Sequence, residues 1–330
     1  MLVRAEMVDV TFVGGGPVAL YGLFYAGMVG LSTRVIESLS ELGGQLAALY
    51  PEKMVYDVPG FPAVRARDLV DQLLAQSSRF LYDVRTGETV QQLQAQPDGT
   101  YILRTTAQGE YPTRTVIVTT GAGAFTPRRL ALPGADRFEG KGLQYTVPQL
   151  ERFRGQRVLI VGGGDSAVDW ALSLEPLARS VTLIHRRGQF RALEESVEQL
   201  LSSSVDVRLF HELRAIEGDE RVTAAIIYNN QTGEETRLPV DEIVLALGFV
   251  PDVSLLRSWG LDMDDNAIVV RSDMSTNLPG VYAAGDVVTY PGKVKLIATG
   301  FGEVATAVAA ARRHINPQVR TPLHSSSMKW

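Results

Sequence analysis

The chain has 330 residues, 45% hydrophobic and 21% charged, with a formal net charge of -5 and no cysteine. That length supports two domains with cores of their own, and the acidic balance points neither to nucleic acid nor to an anionic membrane surface. The missing thiols exclude disulfide staples, thiolate metal sites, iron–sulfur ligation and dithiol chemistry, and four scattered His without ligand spacing predict no bound metal.

The first apolar stretch, 8–13, is broken by Asp9, has only Arg4 as a positive flank and runs into a glycine loop. It predicts a first strand rather than a signal peptide. No apolar run is long enough to span a bilayer, and a cytoplasmic protein is expected. Gly14-Gly15-Gly16-Pro17-Val18-Ala19 then opens a helical segment. Gly14 allows a tight turn, Gly16 lets backbone approach a pyrophosphate, and Ala19 permits close helix–strand packing. A second strand, 34–37, ends on Glu37, placed to accept hydrogen bonds from ribose hydroxyls. A further buried strand is read at 116–119.

The pattern then repeats. Strand 158–161 leads into Gly162-Gly163-Gly164-Asp165-Ser166-Ala167, followed by a strand at 181–184. Gly162, Gly164, Asp165 and Ser166 are assigned to a second nucleotide. Glu37 lies 23 positions after Gly14, and 23 positions after Gly162 stands His185, followed by Arg186 and Arg187, with Arg191 nearby. Arginine forks match a 2′-phosphate that an acid would repel, so the second site fits NADP(H) and the first a ribose without phosphate. A solvated basic turn is the alternative, and its register against the glycine loop favours the phosphate. Ser202-Ser203-Ser204 reads as a helix-to-strand turn before the last buried strand, 243–246. Short apolar strands alternating with amphipathic helices indicate an α/β protein with parallel sheets and two Rossmann-like dinucleotide-binding domains.

Together with Gly43-Gly44-Gln45-Leu46, Val118-Thr119-Thr120-Gly121-Ala122 and Gly280-Val281-Tyr282-Ala283-Ala284-Gly285-Asp286-Val287, these loops resemble the two-dinucleotide-binding-domain flavoproteins of the thioredoxin-reductase-like branch. The resemblance implies FAD, with Asp286 at the ribityl chain and the N-terminus of a helix within 300–313 aimed at the flavin pyrimidine. Where thioredoxin reductases carry their Cys-x-x-Cys, this chain has Thr146 and Gln149, which removes disulfide exchange with a thioredoxin.

The stretch from Gln45 through Tyr50-Pro51-Glu52-Lys53 to Tyr56-Asp57-Val58-Pro59-Gly60-Phe61-Pro62, and the tail with His324-Ser325-Ser326-Ser327, resemble the cysteine-free ferredoxin–NADP+ reductases of this type. Read locally, Tyr50 and His324 would be a core tyrosine and a solvated tail histidine. The resemblance implies instead that they stack on opposite faces of the isoalloxazine. It also implies flavin contacts from Gly14, Gly16, Pro17, Glu37, Gln45, Val90, Phe125, Asp286 and Ser327, with Val90 acting through backbone near the adenine.

The implied layout is discontinuous: residues 1–121 and 248–330 bind FAD, and residues 122–247 form the inserted NADP(H) domain. The implied reaction passes electrons between ferredoxin or flavodoxin and NADP(H) in a cytoplasmic homodimer. No residue acts as acid or base on substrate, and Asp57 is the one candidate for managing a proton. A basic docking face for an acidic carrier is expected among Arg65, Arg67, Lys293, Lys295, Arg312 and Arg313, with scattered solvated charges the equal alternative. An NADPH-dependent flavin or quinone reductase (a diaphorase), or a non-catalytic flavin-binding redox sensor, are the competing functions.

Overall fold

The apolar run Val8–Val13 forms strand β1, and the glycine turn after it leads straight into helix α1, Pro17–Met28. The computed structural model describes residues 5–121, 123–147 and 149–319, without the side chains of 124–127 and 249–252. After α1 come β2 (Thr33–Glu37), α2 (Ala66–Ser77), β3 (Asp83–Thr86), β4 (Val90–Ala95), β5 (Tyr101–Thr105) and β6 (Glu110–Val118). β1 lies between β2 and β6 and is parallel to both, with β3 added outside β2. These central strands are apolar on both faces because helices and irregular chain cover both. β4 and β5 instead form an antiparallel ribbon on the far edge of β6, and all of β4 after Val90 is exposed or half-buried. That polar pattern is why the ribbon carries no apolar signal in the sequence.

Two connections, β7 (Ala124–Pro127) and a later strand, pair as a two-stranded sheet. Between them lie β8 (Leu143–Gln144), β9 (Arg157–Gly162), α3 (Asp165–Leu174), β10 (Ser180–His185), α4 (Glu194–Ser202) and β11 (Asp206–Leu209). There follow β12 (His211–Glu217), β13 (Ala224–Asn229), β14 (Glu235–Pro239) and β15 (Glu242–Ala246), and β16 (Phe249–Asp252) completes the two-stranded pair. Strands β8, β15, β9, β10 and β11 make a parallel sheet in that order, and β12 to β14 an antiparallel one. Ser203 caps α4, so the serine run is the expected helix-to-strand turn. The chain then adds β17 (Val281–Ala283), parallel to the C-terminal half of β6, and α5 (Ile297–Ile315), which packs on α1.

The chain divides into two compact units. One takes the chain up to Ala48, Met54–Phe125 and the chain from Pro251, and the other takes Leu49–Lys53 and Thr126–Val250. The first unit's core centres on Phe12, Leu20, Leu23 and Ile117, each fully buried. Burial of each such side chain contributes on the order of 1.5–3 kcal/mol. The second unit has an apolar cluster around Phe153, Ile160, Trp170 and Leu174 and another around Phe138, Leu159 and Ile243.

Candidate functional site

In the first unit the C-terminal ends of β1, β6 and β17 bring three loops together, the edge at which open α/β sheets take ligands. Gly14 has φ +97°, and a Cβ there would stand 2.7 Å from the Thr119 carbonyl oxygen, so the turn needs glycine twice over. The loop is stitched to its neighbours. Gly14 N–H donates to the Ile36 carbonyl at 2.8 Å, Thr119 Oγ1 donates to the Gly14 carbonyl at 2.8 Å, and Gly43 N–H donates to the Gly15 carbonyl at 2.8 Å. Glu37, buried at the end of β2, accepts the Gly15 N–H on Oε2 at 2.6 Å. Its Oε1 accepts from Ser38 Oγ and from Leu39 N–H.

At the N-terminus of α1, Gly16 has no side-chain cap and Pro17 occupies the first turn, leaving backbone N–H groups without helical acceptors. A Cβ at Gly16 would meet no protein atom within 4 Å. Thr120 Oγ1, just past β6, is buried and has no partner. An open glycine approach, free amides and an orphaned hydroxyl beside an acid suited to ribose fit a dinucleotide. Gln45 reaches towards Gly121, where a Cβ would lie 3.6 Å from its Nε2. Val90 is buried at the start of β4, and the adjoining Glu88 N–H donates to the Glu37 carbonyl at 3.1 Å, which sets this segment beside the acid. Asp286 is half-buried three residues after the end of β17.

In the second unit β9 runs into Gly162-Gly163-Gly164 and α3. A Cβ at Gly162 would run into the Ala246 carbonyl, and one at Gly163 into the His185 ring, whereas one at Gly164 would meet nothing within 4 Å. Gly164 carries no side-chain cap, so the first amides of α3 are also free. The segment after β10 is tied to this loop at two points. Arg191 N–H donates to the Gly163 carbonyl at 2.7 Å, and Leu193 N–H donates to Asp165 Oδ1 at 3.0 Å. Arg186, Arg187 and Arg191 are thereby exposed next to the glycine loop, and none forms an ion pair among the described residues. Ser166 is half-buried in the first turn of α3.

His185 does not join the arginines. It is buried, its Nε2 is 3.0 Å from the Gln189 carbonyl, and its ring stacks 5.3 Å from Phe190. Burial holds the imidazole below its usual range, and Arg186 and Arg187 push the same way. It is a neutral strut between glycine loop and arginine loop, where the sequence suggested a third cation.

Tyr50, in the segment grouped with the second unit, lies 6.2 Å from Trp170 with the rings 17° apart, and Lys53 pairs with Asp169 at 2.6 Å. Asp57 is exposed, with no partner among the described residues. His324, Ser327 and the Phe125 side chain lie outside the described residues. Of the cations expected at a docking face, Lys295 and Arg313 are exposed, and Arg65 and Arg67 pair with Asp68 and with Glu41 and Asp71. Lys293 departs from the expectation: its side chain is 5% exposed and paired with Glu303. Nothing local to the sequence marked Glu303, Trp170 or Phe190. Among the described residues no group of three or more His, Cys, Asp or Glu could hold a metal ion, and no helix is long and apolar enough to cross a membrane.

Residues 8–312 match the pyridine nucleotide-disulphide oxidoreductase family. The chain is 50% identical to ferredoxin–NADP reductase 2 of Shouchella clausii, over 98% of this chain and 99% of that one. It is 49% identical to ferredoxin–NADP reductase of Geobacillus thermodenitrificans, over 97% of each. Among solved structures it is similar to thioredoxin reductase of T. acidophilum, with TM-score 0.81 and 26% identity over 94% of this chain and 100% of that one. Thioredoxin reductase of Lactococcus lactis gives TM-score 0.79 at 25% identity, over 93% and 99%.

Proposed function

The chain belongs to the pyridine nucleotide-disulphide oxidoreductase family, and from that premise we propose that it is a ferredoxin–NADP+ reductase, passing electrons between ferredoxin and NADP(H) through FAD. The observation that carries this reading is the contrast between two glycine loops in a chain without cysteine: Glu37 closes one, and Arg186, Arg187 and Arg191 border the other. Curated relatives at about half identity that bear the name ferredoxin–NADP reductase support it. With no thiol in the chain, a dithiol relay is not available, so electrons must leave by another route.

In this reading the first unit holds FAD and the second NADP(H). Bound FAD supplies the conversion between a two-electron nicotinamide and a one-electron iron–sulfur carrier. The chain's part is to bind and orient. The free amides at Gly16 and the start of α1 take the diphosphate, Glu37 takes ribose hydroxyls, and Gln45 and Asp286 take the flavin end. Val90 backbone lies along the adenine, and Tyr50, Phe125, His324 and Ser327 complete the flavin contacts. On the second unit the Gly164 amides with Asp165 and Ser166 take the diphosphate, while the arginine forks take the 2′-phosphate. The electron carrier is ferredoxin or flavodoxin, and the protein works as a homodimer in the cytoplasm.

The test is NADPH oxidation with cytochrome c as final acceptor, with and without ferredoxin, across a salt series. Saturable ferredoxin dependence that weakens with salt is expected. NADPH turnover indifferent to ferredoxin would move the function to a diaphorase. FAD binding without NADPH turnover would leave a flavin-binding sensor.

A further inference from the structure

Beside the Gly285-Asp286 turn the first unit buries a charge cluster that the proposed chemistry does not use. Glu303, on the second turn of α5, and Lys293, in the loop before it, have side chains only 4% and 5% exposed. Lys293 Nζ donates to Glu303 Oε1 at 2.5 Å, and the Tyr290 hydroxyl donates to the same oxygen at 2.6 Å. Donating that bond to a carboxylate, with burial, pushes the Tyr290 phenol up to about 12, so it remains a donor throughout the working range. The other oxygen, Oε2, accepts the Gly285 N–H at 2.8 Å.

A buried ion pair is a weak source of stability, because desolvation offsets most of the attraction and a well-packed apolar pair does as well or better. What this carboxylate does that an apolar pair cannot is accept the Gly285 amide. Gly285 has φ +89°, a left-handed turn conformation, and its buried N–H has the Glu303 carboxylate as acceptor. The residue before it is bonded on the other side, from Ala284 N–H to the Val118 carbonyl at 3.0 Å. The turn is therefore held between β6 and α5. Close packing reinforces the arrangement: a Cβ at Gly300 would sit 2.5 Å from Val18 of α1 and 3.4 Å from Gly285 Cα.

We propose that Glu303, braced by Lys293 and Tyr290, is the positioning residue that fixes the Gly285 amide and so presents Asp286 to FAD, setting how long the cofactor stays bound. This rests on the reading that the first unit holds FAD.

The test sets cofactor retention against stability. FAD release is followed by flavin fluorescence after dilution of the holoenzyme, and melting temperature is measured on the full chain stripped of FAD. Three proteins are compared: wild type, Lys293→Met, and the double variant Lys293→Met with Glu303→Leu. Lys293→Met leaves Glu303 buried without its counter-charge and should melt lowest, yet the carboxyl still accepts from Gly285 and Tyr290. The double variant removes that unpaired charge but strands the Gly285 amide and the Tyr290 hydroxyl, so it should melt above Lys293→Met and below wild type. It should release FAD about tenfold faster than wild type, and faster than Lys293→Met, from loss of a charged hydrogen bond. The two variants are then ordered oppositely in melting and in release, which a purely structural cluster would not produce. Release rates that follow the melting temperatures, with Lys293→Met losing FAD faster than the double variant, would overturn the proposal. If Lys293→Met does not fold, Lys293→Met with Glu303→Gln, which keeps an acceptor for Gly285 without a buried charge, takes its place: slower FAD release than the double variant is expected, and equal release would overturn the proposal. Failure of the wild-type chain to take up FAD would count against the reading of the first unit instead.

Discussion

Glu37 accepts the backbone N–H of Gly15 at 2.6 Å across 22 residues of chain, so the acid that ends β2 also shapes the glycine loop that ends β1. One carboxylate shapes the loop and, in the proposed function, also recognises a ribose. Glu37→Gln keeps an acceptor for Gly15 but loses the charge that strengthens bonds to ribose hydroxyls. FAD affinity should fall by about tenfold, the equivalent of about 1.4 kcal/mol, with the apoprotein fold retained. Glu37→Leu, which also strands the Gly15 amide, should lose more FAD affinity and lower the melting temperature. Titration calorimetry with FAD checks both, and wild-type affinity in both variants would remove the ribose role.

If the second unit takes NADP(H) as proposed, the exposed arginines beside Gly163 separate NADPH from NADH. Arg186→Ala and Arg187→Ala should each raise KM for NADPH by about tenfold or more, with kcat for NADPH little changed and NADH kinetics unaltered. Steady-state kinetics with the two nucleotides decides it. A parallel loss with NADH would mean that these arginines do not meet the 2′-phosphate.

His185 gives a pH dependence with a definite sign. Burial holds its folded-state value below the ordinary 6.5, so between the two values the unfolded chain binds more protons than the folded one. Its contribution to stability is complete above about 6.5 and is lost as pH falls through the depressed folded-state value. Urea unfolding of wild type should therefore show a midpoint that declines as pH falls from about 6.5 to the folded-state value. In His185→Phe this component of the slope should vanish, and an unchanged slope would assign it to other groups.

The contact between Gly163 and His185 predicts a coupled pair. Gly163→Ala drives a methyl into the imidazole and should destabilise by about 1–3 kcal/mol. Because Arg191 N–H hangs on the Gly163 carbonyl, KM for NADPH should rise as well. Truncating the ring in Gly163→Ala with His185→Ala makes room for the methyl, so the double variant should lose less than the two single losses added together. Thermal denaturation of the four proteins closes the cycle, and additivity would show that the ring does not press on the glycine.

The α/β class, the two glycine loops and their strands were determined by the sequence alone, because a β-strand, turn and helix draw on neighbouring residues and buried parallel strands are apolar at nearly every position. The spacing from Gly14 to Glu37 and from Gly162 to His185 was legible for the same reason: the length of a βαβ unit fixes where the second strand must end. The antiparallel ribbons were not, since strands such as β4 expose most of their residues and leave no apolar period.

Side-chain roles were decided only by tertiary structure. His185, Arg186 and Arg187 form one basic run in the sequence, yet β10 ends at His185, whose imidazole packs against Gly163 and Phe190, and the arginines fall in the bend after it and stay in water. Lys293 looked like a surface cation until α5 folded back and set Glu303 against it. A charge in a loop and an acid on a helix follow no shared period, so their pairing exists only once β17, its turn and α5 have packed together.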